Sequence, residues 1–296
     1  MGCCSTKANS LNIKSYKTSI EYNSKKEITS KITRCFITKT FNFDNQNLKD
    51  LSVLDKNIHS LVNNESNKKD YAINVLSAKE NYISHLPLEF LKYISCLKIL
   101  ILSKNEFDNF PVCLFNLNLN STIKKIDLSF NNISIIPDNI SNIKSLEELN
   151  LSNNKITYNG MSLDISNLDK LSIFDMSFNL LDVFPEFLLK NKKLEVLLIN
   201  NNNISFDKKC YDENTWIHNN SNLNNLDLSY NNIKYLPSFI LKHSNVSILN
   251  LKGNLITYND LKEINGYQDF LKRRKDVKDK GFCNNLDINF DICGIN

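Results

Sequence analysis

The sequence predicts an α/β repeat solenoid. A curved parallel β-sheet is expected on the concave face, with irregular, 3₁₀ or short helical returns on the convex face and a helical cap at the C-terminal end. Three observations predict it. A short apolar pattern ending in asparagine recurs at eight places. The intervals between those asparagines run from 23 to 29 residues, the length of one supersecondary unit. An amphipathic helical segment follows the last copy.

The pattern is L-x-x-L-x-L-x-x-N-x-L, met for example by Leu97-Leu100-Leu102-Asn105-Phe107 and Leu146-Leu149-Leu151-Asn154-Ile156. The L-x-L pair places two side chains on one face of a short strand. One unit carries too little apolar surface to fold alone, so neighbours must stack into a common core. The asparagines at Asn81, Asn105, Asn131, Asn154, Asn179, Asn202, Asn231 and Asn254 turn the chain out of the strand. Their amides can bond backbone groups that the bend leaves unpaired, giving a structural asparagine ladder. Phe41, Phe43, Leu48 and Leu51 read as a degenerate first unit, with Gln46 in the asparagine place.

These residues resemble the leucine-rich-repeat superfamily. The segment from Gly253-Asn254-Leu255 through Leu261-Lys262-Glu263-Ile264-Asn265-Gly266-Tyr267-Gln268-Asp269-Phe270 is similar to the C-terminal cap of the leucine-rich repeat-containing protein 57 family, over roughly residues 36–282. The Cys3-Cys4 pair, the insertions and the Asn-rich loops depart from that family. The resemblance implies a lipid-tethered interaction protein and supplies no catalytic residue.

Four segments are expected: a flexible basic lipidated tether at 1–36, the solenoid at 37–258, a helical cap at 259–282 and a tail at 283–296. Two insertions are expected on loops, around 63–69 and 210–216. The units alternate. Those at Asn131, Asn179 and Asn231 read D-L/M-S-F/Y-N and continue to Pro137, Pro185 and Pro237, which suit irregular turns. The intervening units, without proline, are the expected sites of helical or 3₁₀ returns. At the cap, Asp260 and Glu263 have capping-box spacing. Lys272-Arg273-Arg274-Lys275 reads as a solvated helix face.

In a parallel solenoid the x positions of the strand face the concave side. Asp127, Asn150, Asp175 and Asp227 form a polar, largely acidic row there, and Phe130, Phe178 and Tyr230 add aromatics from alternate units. Apolar anchors among polar groups are what a protein-binding surface needs, so an unidentified protein partner is expected on this face.

Charge sets limits. The chain carries +4, yet residues 1–40 hold eight bases against two acids, so the remainder is slightly acidic. That distribution excludes a nucleic-acid groove along the repeats. Eight cysteines show neither a CxxC pair nor zinc spacing, which predicts a reduced, cytosolic protein. Four dispersed histidines, no phosphate-binding glycine motif and no nucleophile elbow predict no enzyme, no cofactor, no metal site and no small-molecule substrate.

Met1-Gly2-Cys3-Cys4-Ser5-Thr6 fits the N-myristoylation pattern. One myristoyl chain holds a membrane only marginally. Palmitoylation at Cys3 and Cys4 and the basic tail would supply the second signal. Cys293 stands in the prenylation position, but Gly294 and Asn296 do not suit it, and none is expected. The expected function is a non-enzymatic scaffold or adaptor on the cytosolic face of a membrane. The alternative is a regulatory subunit docking on a serine/threonine phosphatase or another signalling enzyme. Such regulators show a tight period of about 22 residues, which is not the period here.

Overall fold

The computed structural model describes residues 38–51, 73–87, 96–116, 122–158, 165, 167–206, 222–279 and 292–294. Gly2, Cys3, Cys4, the expected tether, both expected insertions and most of the expected tail lie outside the described residues.

Nine three-residue strands form one sheet: β1 Thr40–Asn42, β2 Val75–Ser77, β3 Ile99–Ile101, β4 Lys125–Asp127, β5 Glu148–Asn150, β6 Ile173–Asp175, β7 Val196–Leu198, β8 Asn225–Asp227 and β9 Ile248–Asn250. They lie in chain order and every pair is parallel. The strands are this short because only the L-x-L triplet has period two; the asparagine turn follows at once. Registration aligns the central residues, so that Ile126, Leu149, Phe174, Leu197 and Leu226 form one buried row. Leu128, Leu151, Met176, Ile199 and Leu228 make a second row, and Ile133, Ile156, Leu181, Ile204 and Ile233 a third. All belong to a single continuous core. Each unit therefore buries its apolar face against two neighbours, as a quasi-one-dimensional stack requires.

The ladder asparagines clamp each unit to the one before it. Asn179 shows the arrangement. Its Oδ1 accepts from the Ile156 N–H at 2.9 Å, and its Nδ2 donates to Leu151 O at 2.9 Å and Met176 O at 3.1 Å. Leu151 and Ile156 belong to the preceding unit, Met176 to its own. The same three-point bridge recurs at Asn105, Asn131, Asn154, Asn202, Asn231 and Asn254. Among the described residues no bond joins one ladder amide to the next, so the rungs are backbone clamps and not stacked amides. At the first unit Asn81 Oδ1 accepts from both Gln46 N and Leu48 N. The Gln46 side chain itself donates to the carbonyls of Asp44 and Asn45.

The convex returns depart from the expectation that proline marks irregular turns, while the proline-free unit at Asn254 does continue into a helix, Tyr258–Lys262, as expected. Short 3₁₀ helices occupy Val112–Asn116, Asp138–Asn142 and Glu186–Lys190, and α1 spans Ser238–Lys242. Each follows a proline. The carbonyls of Pro111, Pro137, Pro185 and Pro237 accept the first helical N–H, from Leu114, Ile140, Leu188 and Ile240 at 3.0–3.2 Å. Proline has no N–H to leave unpaired at a helix start, and its fixed φ pre-sets the entry. The φ values of −76° at Pro137 and Pro185 and −60° at Pro237 fit that role. Most of the returns after Asn154 and Asn202 lie outside the described residues.

At the C-terminal end α2 spans Tyr258–Lys262 and α3 spans Tyr267–Asp279. The capping box pairs Thr257 with Asp260, one turn earlier than the Asp260–Glu263 spacing suggested: Thr257 Oγ1 accepts from Asp260 N, and Asp260 Oδ2 accepts from Thr257 N. A hydroxyl on the residue before the helix wins the position because it reaches the exposed N–H groups. Arg273 is not simply a solvated base. Its guanidinium donates to Leu241 O at 2.5 Å and to Val246 O at 3.0 Å, tying α3 to the end of α1 and the entry to β9. Gly266, at φ +92°, makes the turn between α2 and α3, where an added Cβ would lie 2.6 Å from Lys242 N. Gly266→Ala is accordingly expected to cost about 1–3 kcal/mol through strain and backbone contact. Urea unfolding would show this as a lower midpoint, and an unchanged midpoint would contradict the packing of the cap.

Ile292–Gly294 returns to the open edge of the sheet. Cys293 O accepts from Leu251 N at 2.8 Å, the bond that the next unit's strand would supply, as Asp227 O does for Ile199 N. Cys293 is buried, and burial pushes its thiol up to about 12. An unpaired parallel edge exposes donors and acceptors to any passing strand, and this short segment covers part of it.

Candidate binding surface on the concave sheet

The strand residues on either side of the buried centre face the concave side. Asp127, Asp175 and Asp227 end β4, β6 and β8, and Asn150 ends β5, so the expected polar row lies in register across the sheet. Its carboxylates bond within their own units. Asp175 Oδ1 accepts from Ser177 N at 2.9 Å and Ser177 Oγ at 2.7 Å. Asp127 holds Ser129 and Asp227 holds Ser229 in the same way, and Asn150 Oδ1 accepts from Ser152 N. The D-L/M-S spelling of alternate units is thus a local turn, in which a carboxylate oxygen takes the N–H two residues on. One bond does cross strands, from Asn250 Nδ2 to Asp227 Oδ2 at 3.1 Å.

These turns fix each carboxylate in place while leaving part of it facing solvent. Burial pushes the Asp175 carboxyl above the ordinary carboxylate range; the Ser177 bonds pull it back, and Asp127 and Asp227 add repulsion. Asp175, in the middle of the row, thus feels the acid on either side. Among the described residues no cation lies within 4 Å of any of them. Two lysines at β4 are engaged with β5: Lys124 pairs with Glu147 at 2.6 Å and Lys125 with Glu148 at 2.5 Å.

Phe130, Phe178 and Tyr230 sit beyond the strands, on the turn just before each ladder asparagine. They form a rim to the sheet and not its floor, and are 49–50% exposed. All three are left-handed, with φ of 53–54°. Glu80, Lys104, Asn153, Asn201 and Gly253 hold the same place and the same φ sign in other units. The turn geometry dictates the conformation, for which Gly253 and the asparagines are the low-cost choices. A bulky aromatic there is strained by roughly 1–2 kcal/mol. The Tyr230 ring lies against Gly253 of the next unit, where an added Cβ would be 2.6 Å from a ring carbon.

Sequence reasoning missed two parts of this surface. Ile173, Val196, Leu198 and Ile248 are partly exposed in the strands and give the acidic floor an apolar component. Leu180, 56% exposed, follows Asn179 and so adds to the rim beside Phe178. Both were readable as x positions, yet apolar residues at x look like core in a chain this rich in isoleucine. Asn191, 1% exposed, also escaped notice: it bonds Ile165 O, Leu168 O, Lys193 N and Leu194 N on the convex side. Only its place in an Asn-Lys-Lys-Leu run distinguishes it from the scattered asparagines. Among the described residues no group of three or more His, Cys, Asp or Glu is placed to hold a metal, and no helix is long and apolar enough to cross a membrane.

The Leucine Rich Repeat family model matches residues 122–143 and 145–168. Among solved structures the chain is similar to a leucine-rich-repeat protein of Leptospira interrogans, at 27% identity and a TM-score of 0.57, over 68% of this chain and 47% of that one. It is also similar to internalin C2 of Listeria monocytogenes, at 23% identity and a TM-score of 0.51, over 66% of this chain and 78% of that one. The chain thus spans about half the length of the Leptospira protein. No curated protein matches the sequence. Nine parallel strands in one open sheet, the repeating asparagine clamp and these likenesses together make the chain a leucine-rich-repeat solenoid.

Proposed function

We propose that this chain is a non-enzymatic scaffold or adaptor that binds a protein partner on its concave sheet. Leucine-rich-repeat folds generally mediate protein–protein interaction, and the open, curved surface of a solenoid is the part they use. The observation that carries the reading is the rim of Phe130, Phe178 and Tyr230. Three bulky side chains stand half-exposed in a strained backbone conformation that glycine or asparagine adopts at less cost. An interface rich in aromatic anchors accounts for large apolar groups held half-exposed at this place. The carboxylates of Asp127, Asp175 and Asp227 lie beside them as the polar component.

The second half of the proposal concerns location. Myristoylation at Gly2, palmitoylation at Cys3 and Cys4, and the basic tail would hold the solenoid at the cytosolic face of a membrane. The support is the coincidence of Gly2, a cysteine pair and eight bases within the first 40 residues. Gly2→Ala is expected to move the protein from the membrane to the soluble fraction and abolish labelling by an alkyne myristate. Equal fractionation of both proteins without acyl label would remove the anchor and leave the binding surface untouched.

A further inference from the structure

The units on this surface alternate, and the alternation has a spacing. A strand-terminal aspartate and a rim aromatic occur together in β4, β6 and β8 and their turns: Asp127 with Phe130, Asp175 with Phe178, Asp227 with Tyr230. In β5, β7 and β9 and their turns these places are held by Asn150 and Asn153, by Leu198 and Asn201, and by Asn250 and Gly253. The composite of one carboxylate and one aromatic therefore repeats every second strand, about 9.6 Å along the sheet.

That repeat selects among the shapes a bound segment can have. An α-helix returns a side chain to the same face after seven residues, about 10.5 Å, and drifts out of step over two intervals. A β-strand advances about 10 Å in three residues, but its third residue points to the opposite face. A polyproline II helix has three residues per turn and about 9.3 Å per turn, so every third side chain lies on one face. It also carries its backbone fully solvated and presents proline rings that dock against aromatic side chains. The sign of the face fixes the rest. Three carboxylates lie in one row across the sheet, and no cation of the described chain lies within 4 Å of them.

We propose that the concave sheet binds an extended, polyproline II segment of a partner protein, with a basic residue at every third position facing Asp127, Asp175 and Asp227, and the intervening residues against Phe130, Phe178 and Tyr230. The proposal rests on the protein-binding reading above and names the chemistry of its ligand. It gives the two-unit alternation a purpose: the units without the pair are spacers that bring the period from one strand to one polyproline turn. The turns through Ser129, Ser177 and Ser229 hold the three carboxylates ready, so little side-chain freedom is lost on binding.

The test uses the purified full-length protein and two fluorescein-labelled synthetic peptides of identical composition. One repeats Arg-Pro-Pro; in the other the arginines are adjacent at one end. Fluorescence anisotropy is expected to show the periodic peptide binding about tenfold tighter, with an affinity that falls as salt rises. Asp127→Asn, Asp175→Asn and Asp227→Asn, which keep the acceptor of each serine turn, should each weaken it by about two- to fivefold. Phe178→Ala should weaken it as well, while Lys144→Ala on the outer side should not. Equal affinity for both peptides, or no binding of either at millimolar concentration, would overturn the proposal. If that happens while partner capture from cells still depends on Phe178 and Asp175, the surface reading stands and only the polyproline ligand falls.

Discussion

Phe174→Ala is expected to cost about 3–5 kcal/mol, the largest effect of any single substitution in the sheet. The ring is fully buried at the centre of β6, between Leu149 and Leu197 in the neighbouring strands. Truncation would remove its burial and leave a cavity that flanking units cannot close, because the clamps at Asn154, Asn179 and Asn202 fix their separation. Equilibrium urea unfolding followed by circular dichroism should show the loss as a lower midpoint. A change below about 1 kcal/mol would contradict the packing. Phe178→Ala, four residues on, is the internal control. That ring is 49% exposed on a left-handed residue, and its removal should leave stability within about 0.5 kcal/mol of wild type. The same substitution thus has opposite consequences at two neighbouring phenylalanines, one serving the core and the other the surface.

Asn179→Ala is expected to cost about 2–4 kcal/mol without removing any large apolar group. The side chain is 7% exposed and bonds one buried N–H and three carbonyls, those of Leu151, Met176 and Ser177, from two units. A buried polar group left without a partner costs about 1–3 kcal/mol, and methyl cannot replace any of these bonds. Asn179→Asp separates polarity from bonding. It keeps the acceptor for Ile156 N–H but turns a carboxylate oxygen toward Leu151 O and Met176 O. It should be at least as damaging at neutral pH and partly recover in acid, when a protonated carboxyl can donate. Its carboxyl would be raised above the ordinary range in the folded state, so the charge penalty is full above that value and lifts as pH falls through it. If Asn179→Ala unfolds at the wild-type midpoint, the clamp is not what joins the units.

The solenoid could be read from the sequence because one short period encodes both strand and turn. Leu171, Phe174 and Met176 announce their burial by spacing alone, and Asn179 its place in the turn. What could not be read depends on contacts between distant residues or on competition between similar ones. Arg273 looks like any base in a basic run until α3 is folded against α1, where Leu241 O and Val246 O lie within reach. Thr257 and Asp260 outcompete Asp260 and Glu263 because the helix starts one turn earlier than apolar spacing suggested. Cys293 bonds Leu251 across more than forty residues of sequence, a pairing no local pattern announces.

The proline-bearing returns carry a different lesson. The lack of an N–H marks Pro137, Pro185 and Pro237 as breakers only inside a helix; at its entry the same lack favours the helix. On the concave face, Asp127, Asp175 and Asp227 were visible as a row, but their bonds to Ser129, Ser177 and Ser229 were not. The eye reads D-L-S as strand, and the turn begins within it. The left-handed conformation of Phe130, Phe178 and Tyr230 was equally hidden, since aromatic residues give no sign of positive φ.

The measurement that bears most directly on the concave surface is quantitative affinity capture from cells, comparing wild type with Phe178→Ala and Asp175→Lys combined. A variant at exposed Lys144, on the outer side, serves as control, and matched unfolding midpoints would show that all three are folded. The account predicts that a defined set of proteins is retained by wild type and the Lys144 variant and lost from the double variant. An identical set captured by all three would contradict it.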